Sequence, residues 1–525
     1  MIDLLDPRRL AGAIEESLYR LFSDGHTICS HTLIRARLNG ILAGSPLFSK
    51  DGSLLNQAIA WGIHHGCFVQ ILDGLLQLPA LLLMEVSIAR SVAARLVRDE
   101  RSHVADIDYV EAVISDFAAT QRIVLTTEQK NAIHLAARSR LGVITGEVWG
   151  GKTDVLMAIY ELYDIVGVRV FPMAVAGRAA SRMAALTSRP ASTIATFLSN
   201  ISAYDLSGNA AVVIHDASLL DVMTMSKLFA VLPLHCRVLL VGDSPQSMPT
   251  GPGLVMRELM ACDGVPIAAL TEQRFVDGPL DCAASLVREG LWPELGPDMS
   301  NPVVFISCGL SDMPKRVVDL HAASSLPCQI LTVKRNGGDG MKLINAESQA
   351  RYTRRGKQLV VKNKRFDLEE GAGFYLSDLV RCTKNRWELG IPKGLLGKVT
   401  AVYDQQAVRK GFEKHGLVLG SIEWDDGVTS PLYEDMLLDL ELGYAITMHM
   451  AQGSQWPVVI VPVTANRLLD RTLICAAITS ATFQVIFVGD EVAAKNAVGV
   501  LPKAKLRQTG LNSKLDDELM RLGCA

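Results

Sequence analysis

No CxxC pair and no cluster of cysteine and histidine at zinc-ligand spacing occurs in this chain; its ten cysteines are scattered through 525 residues. That excludes a zinc module and a disulfide scaffold, leaving buried thiols and no expected metal site beyond Mg²⁺. Long apolar runs are also missing. The most apolar stretch, "ILDGLLQLPALLLMEVSIA", is broken by Asp73, Gln77, Pro79 and Glu85, so no membrane segment is expected. The opening "MIDLLDPRRLAGAIEESLYRLF" is charged and amphipathic, unlike a signal peptide, which points to the cytoplasm. Net charge is only −3, so any nucleic-acid surface must be a local stripe rather than a whole-protein field. Repeats and low-complexity tracts are absent. With 49% hydrophobic and 20% charged residues, the chain has ample material for several cores and little for disordered tails.

What is present divides into three textures. Residues 1–120 carry apolar positions at three-to-four-residue spacing in "GAIEESLYRLF", "LLNQAIAWGIHH" and "LMEVSIARSVAARLVRDE", which predicts a helical N-terminal accessory domain. From Leu125 short β-branched runs alternate with helical segments: "GVIT", "VRVFPMAV", "AAVVIHD", "RVLLVGD", "CQILTVK", "YAITMHM", "VVIVPV" and "QVIFVGD". That alternation predicts parallel sheets covered by helices. Between Gly356 and Asp426, "LVVKNKRF", "GFYLSDLVRCTKN", "LLGKVTAVY" and "GSIEWDDG" read as short antiparallel strands of a small β insert.

One stretch carries explicit chemistry. "LGVITGEVWGGKTDVLMAIYEL" holds a GxxxxGK[ST] pattern from Gly146 to Thr153, with Trp149 inside the loop. A short apolar strand precedes it and an amphipathic helix follows. In that strand–loop–helix context, backbone N–H groups face phosphates, Gly151 permits a tight approach, Lys152 reaches the β and γ oxygens, and Thr153 offers its hydroxyl to Mg²⁺. ATP with Mg²⁺ is the expected ligand. Other strands end in polar residues, Asp216, Asp243 and Lys334. Ligands of open α/β sheets lie beyond strand carboxyl ends, so these are candidates for one shared site, though each alone is equally well a solvated loop start.

From Leu125 onward, "LTTEQKNAI", "GEVWGGKT", "AVAGRAASRM", "ASTIATFL", "VVIHDASLLD", "VGDSPQSMPTGPGLVMREL", "LTEQRF", "YAITMHMAQGSQWPVVIVP" and "AAITSATFQVIFVGDE" follow in order. Together they resemble the RecD-like branch of superfamily 1 helicases. The resemblance implies an α/β fold of two RecA-like P-loop domains with parallel sheets, a helical N-terminal accessory domain and a small SH3-like β insert. The corresponding boundaries are 1–120 for the helical domain, 121–275 for the first RecA-like domain, 276–355 with 430–525 for the second, and 356–429 for the insert. It implies an ATP-dependent translocase or helicase on single-stranded DNA. By the same resemblance Gln129 contacts adenine, Gln246 senses the γ-phosphate and Arg274 reaches it, while Thr447, His449, Gln452 and Gly453 lie in a motif that couples DNA to the nucleotide.

Departures from the family fall on the chemistry. Where the family writes "DEAS", this chain has His215 and Asp216; imidazole is a poor Mg²⁺ partner, because Mg²⁺ prefers hard oxygen ligands. Asp216 is left as the metal candidate beside Thr153. The family's "TRA" arginine is Ser480, and such an arginine is worth roughly 10³ to 10⁵ in rate. Arg471 is a nearby cation offered as a partial substitute. Met450 and Gln455 replace a lysine and a glutamate. The strand-separating hairpin of the family has only "SNISAYDLSGNA" in its place, twelve residues that hold at most a tight turn.

For DNA, "RYTRRGKQLVVKNKRF" concentrates Arg351, Arg354, Arg355, Lys357, Lys362, Lys364 and Arg365, with Tyr352, Phe366, Trp387 and Trp456 as candidates for base stacking. A solvated charged face is the competing reading. Two functions therefore stand open: an ATP-dependent DNA motor with weak hydrolysis, or a catalytically degenerate module that grips single-stranded DNA or assembles with another helicase, nuclease or DNA-processing subunit.

Overall fold

The computed structural model describes residues 6–42, 53–71, 74–97, 103–146, 151–243, 248–271, 278–295, 298–353, 355–363, 368–403 and 417–523. They form two compact units: Met1–Val175 with Leu186–Arg274 and Lys503–Ala525, and Ala176–Ala185 with Phe275–Pro502.

The first unit is built on six parallel strands, in the order Ser192–Thr193, Arg169–Ala174, Ala210–His215, Arg237–Gly242, Leu141–Gly146 and Ile267–Leu270. Successive side chains of a strand point to opposite faces, so a sheet buried on both sides needs apolar residues at every position. The strands obey this. Val143, Val212, Ile214, Val238 and Leu240 face a layer with Pro79–Leu96, Val222–Val231 and Leu511–Arg521, whereas Ile144, Val213, Leu239 and Val241 face Ile107–Gln121, Thr127–Arg138 and Lys152–Ile165. Helices Pro7–Ser23, His31–Ile41 and Ser53–His64 close a separate apolar core with a short ribbon, Val69–Gln70 and Leu76–Gln77. The expected helical character of residues 1–120 thus includes one small antiparallel element.

The C-terminal residues 503–525, expected with the second RecA-like domain, instead pack in the first unit. Leu511, Leu515 and Leu519 lie on one face of the last helix and enter the same core as Ile88 and Val92. A buried polar clasp fixes the approach. Glu85 Oε2 accepts from Gln77 Nε2 (2.7 Å) and Oε1 from Gly510 N (3.2 Å), and burial raises the pKa of this carboxyl.

The second unit carries five parallel strands in the order Ala445–Thr447, Cys328–Thr332, Trp456–Val463, Ala481–Gly489 and Val303–Ser307. Pro279–Glu289, Arg471–Thr479 and Glu491–Gly499 cover one face, and Met313–Ala323 with Met341–Tyr352 the other. Between Tyr352 and Ala445 the chain makes a hairpin, Gln358–Asn363 with Leu368–Tyr375, and a five-stranded antiparallel sheet. Its strands run Thr429–Tyr433, Val418–Trp424, Leu396–Val402, Leu379–Cys382 and Leu440–Leu442. The last strand carries the insert past the expected boundary at 429, because Val380, Arg381 and Cys382 need a second pairing partner.

Asp378 ties the insert to the core. This fully buried carboxylate accepts from Thr353 Oγ1 (2.6 Å), Tyr444 Oη (2.8 Å), Gln349 Nε2 (2.7 Å) and the Tyr375 N–H (2.7 Å). Four donors around two oxygens satisfy the charge without a cation.

Leu515 is fully buried between the last helix and Pro79–Leu96. Leu515→Ala is expected to lower unfolding free energy by about 2–5 kcal/mol, the usual cost of deleting a buried leucine side chain. Urea denaturation followed by circular dichroism checks this; a loss below about 0.5 kcal/mol would mean the C-terminal helix is not seated in the core.

Candidate nucleotide and nucleic-acid site

The register of the first sheet decides where its chemistry gathers. Ala174 pairs with His215, His215 with Val241, Thr145 with Gly242, and Gly146 with Leu270, so the strand ends form one row. Beyond that row lie the loop entered by Gly146, the turn at Asp216, and Asp243. The expectation that these strand ends converge holds for Asp216 and Asp243. Lys334 belongs to the second unit, where its ammonium lies 3.0 Å from buried Asp339.

The phosphate-loop geometry is intact at its described ends. Gly151 caps the helix Lys152–Ile165 at φ +70°, and a Cβ there would lie 2.2 Å from Gln129 Nε2. Only glycine meets both demands. Lys152 Nζ donates to the Gly146 carbonyl (2.5 Å), so the ammonium reaches back to the end of the preceding strand. Thr153 is half-buried in the first helical turn, beside Asp154. Trp149 lies outside the described residues.

Gln129 is 2% exposed and closes a capping box: Thr126 N donates to Gln129 Oε1 (3.0 Å), and Gln129 N donates to Thr126 Oγ1 (3.2 Å). The carboxylate of Glu128 accepts from both the backbone N–H and the hydroxyl of Thr271, at the end of the last strand. The residue that the family resemblance assigns to adenine thus also sets the start of its own helix and abuts the phosphate loop. The Glu128 tie has no signature in the sequence, because its partner is 143 positions away.

His215 and Asp216 sit side by side, with Nδ1 3.1 Å from Oδ1 and both side chains about a quarter exposed. Asp216 has φ +52°, a left-handed conformation that aspartate tolerates better than most side chains. It leads into the turn Ala217–Leu219, whose Ala217 and Ser218 N–H nitrogens lie 3.1 and 3.0 Å from where a Cβ on Gly242 would be. The turn at Asp216 and the strand end at Asp243 therefore pack backbone to backbone. Lys152, Gly151 and Thr153 suit a nucleotide phosphate; Thr153 and Asp216 carry oxygen atoms of the kind Mg²⁺ prefers, and the imidazole of His215 does not.

In the second unit Thr447, beside Thr332 in the register, is buried and caps the one-turn helix Met448–Ala451; His449 is exposed and Gln452 half-buried. Ser480 is spent locally, its hydroxyl donating to the Ala476 carbonyl (2.7 Å). Arg471 is no substitute cation there. Its guanidinium donates to the Val498 (2.8 Å) and Arg288 (3.1 Å) carbonyls, which fixes it in the scaffold. Arg178 lies 4.9 Å above the Trp456 ring and pairs with Asp425, so one face of that indole is covered by a cation. Arg351, Arg355 and Lys357 are exposed around the start of the hairpin. Gln246, Arg274, Arg354, Lys364, Arg365 and Phe366 lie outside the described residues, as do the side chains of Lys362 and Trp387.

Between the helix that ends at Ser199 and the strand that starts at Ala210 the chain holds a 3-10 turn, Ile201–Ala203, and no further strand, so no hairpin is built at that point. No described helix is long and apolar enough to cross a membrane.

Two parallel α/β units, one with a glycine-capped phosphate loop at its strand ends, define the class of RecA-like P-loop proteins. Residues 124–294 match the family model described as an AAA domain. The chain is 28% identical over 373 residues to the ATP-dependent RecD2 DNA helicase of Deinococcus radiodurans, covering 68% of this chain and 48% of that protein. It is 26% identical over 370 residues to the probable conjugal transfer protein TraA of Sinorhizobium fredii, covering 68% of this chain and 31% of that one. Among solved structures it is similar to Pif1 helicase from Bacteroides in complex with ADP-AlF3 and ssDNA, at 17% identity and a TM-score of 0.46, over 77% of this chain and 99% of that one. The chain is similar to these two curated relatives over about two thirds of its own length and spans half or less of theirs.

Gly151→Ala is expected to weaken nucleotide binding at least tenfold, since its methyl meets Gln129 Nε2 and its φ is unfavourable. Adding Gln129→Ala removes the clash but not the backbone strain, so recovery should be partial. Titration with a fluorescent ATP analogue checks both; equal affinity for Gly151→Ala and the unaltered chain would mean this loop does not contact the nucleotide.

Proposed function

We propose that the chain binds ATP·Mg²⁺ and single-stranded DNA as a RecD-like motor whose hydrolysis is weak. The observation that carries this reading is the row of strand ends: the strand that precedes Gly151, Lys152 and Thr153 pairs with the strand that ends before Asp243, which pairs in turn with the strand that ends at His215, an imidazole where the reading needs an oxygen ligand. On this reading Lys152 and Thr153 are kept for binding, while an oxygen ligand at His215 and an arginine at Ser480 are missing. Gln246 and Arg274 remain the candidates for reaching the γ-phosphate, and Gln129 for the base. For DNA the candidates are Arg354, Arg355, Lys364, Trp387, Thr447, His449, Gln452 and Trp456.

A second reading is a degenerate helicase-like module used for gripping single-stranded DNA or for assembly with another helicase, nuclease or DNA-processing subunit. Ser480 bound to its own helix and Arg471 held by two carbonyls favour it, since neither supplies positive charge to a transferring phosphoryl group.

Lys152→Ala should abolish ATP binding in calorimetry at millimolar nucleotide. For the unaltered chain, turnover should lie roughly a hundredfold or more below that of an intact relative, a modest figure beside the rough 10³ to 10⁵ attached to the missing arginine. His215→Asp with Ser480→Arg, leaving Asp216 in its left-handed turn, should raise ATPase without producing strand separation. Robust DNA-stimulated ATPase in the unaltered chain would sink the weak-hydrolysis reading. Single-strand affinity should fall steeply between low and physiological salt, because each neutralised phosphate releases a counterion; a salt-independent affinity would remove the phosphate-tracking surface.

A further inference from the structure

A cavity of about 580 Å³ opens in the second unit at the edge of the parallel sheet opposite to Thr447 and Lys334. Cys328 and Trp456 begin two neighbouring strands there, Tyr444 immediately precedes a third, His321 and Tyr352 come from the covering helices, and Lys398 comes from the insert. We infer that this cavity takes one nucleobase of a bound single strand, stacked on Tyr352. The inference rests on the single-stranded DNA reading above and adds to it a site away from the strand carboxyl ends.

Tyr352 is 40% exposed yet held by two partners. Its ring stacks on that of buried Tyr444, with centroids 5.5 Å apart and planes within 10°. Its hydroxyl lies 2.7 Å from His321 Nδ1, and His321 Nε2 lies 3.2 Å from the Cys328 carbonyl. A carbonyl only accepts, so Nε2 carries the proton and Nδ1 accepts from the tyrosine. Burial lowers the pKa of His321, which keeps this neutral tautomer. Tyr444 is held in turn by its hydrogen bond to Asp378 (2.8 Å). An exposed aromatic face that has already lost its rotational freedom on folding loses little more when a ring stacks on it.

The charge around it selects the rest of the ligand. Lys398 is exposed on the wall, and Arg351, Arg355 and Lys357 are exposed next to Tyr352 in sequence. The acid of the lining, Asp425, is compensated by Arg178. A flat aromatic platform with the Lys398 ammonium on the wall suits a base carried on a phosphodiester, and the volume lies within the range of small-ligand sites. An aromatic side chain of a peptide would use the platform but not the ammonium.

The test uses the full chain and a thymidine oligonucleotide carrying one 2-aminopurine. The unaltered chain and Tyr352→Phe should quench the probe, because both keep the ring. Tyr352→Ala should lose the quench and bind at least fivefold more weakly, the lower end expected for one lost base stack. The slope of affinity against salt should stay unchanged, since phosphate contacts remain. An abasic residue at the probe position should weaken binding by the unaltered chain to the same degree and add nothing to Tyr352→Ala; this arm needs no altered protein and so stands even if the variant folds poorly. Oligonucleotide binding that is indifferent to both the variant and the abasic residue overturns this inference alone. Absence of any single-strand binding by the unaltered chain overturns the reading beneath it.

Discussion

Parallel strand pairing is the constraint from which most of the structure follows. Parallel neighbours cannot be joined by a tight turn, so each pair needs a crossover, and the crossovers lay helices on both faces of the sheet. Every strand then leaves the sheet at the same edge. In the first unit this brings the loop after Gly146, the turn at Asp216 and the strand end at Asp243 into one row, although they are separated by about 100 positions of chain. The chemistry at that edge is a consequence of the pairing rule, and the near-continuous apolar strands beneath it are what the rule requires.

In the first unit Gly151 has a left-handed φ and no room for a Cβ against Gln129, a pair of constraints that only glycine meets. Two strands away in the same sheet, Asp216 occupies a left-handed turn beside His215. His215 brings an imidazole rather than an oxygen donor to its strand end, and in the second unit the Ser480 hydroxyl is taken up by the Ala476 carbonyl of its own helix.

The insert shows a different solution to joining two layers. Rather than an apolar interface alone, a buried carboxylate, Asp378, collects donors from the helix Met341–Tyr352, from the segment before Ala445 and from the hairpin. Fully satisfied buried polar groups specify geometry more strictly than greasy contacts do, because any shift leaves a charge unpartnered. That strictness extends outward through Tyr444 to Tyr352 and His321, which gives the second unit a rigid aromatic wall.

The sequence by itself determined the element types and their order. Eight strands read from apolar runs are all present, since a strand buried on both faces has a compositional signature that needs no partner to be visible. Val303–Ser307 and Ile267–Leu270 were not legible, being short runs at sheet edges. Gly146, Gly151, Lys152 and Thr153 were legible as a loop because their spacing is local. Tertiary structure alone decided which distant groups meet: Glu128 with Thr271, Arg471 with the Val498 and Arg288 carbonyls, Asp378 with Tyr444, and the last helix with Pro79–Leu96 instead of the second sheet. Side-chain hydrogen bonds between residues far apart leave no periodicity in the chain, and a helix with one apolar face does not announce which core it will enter.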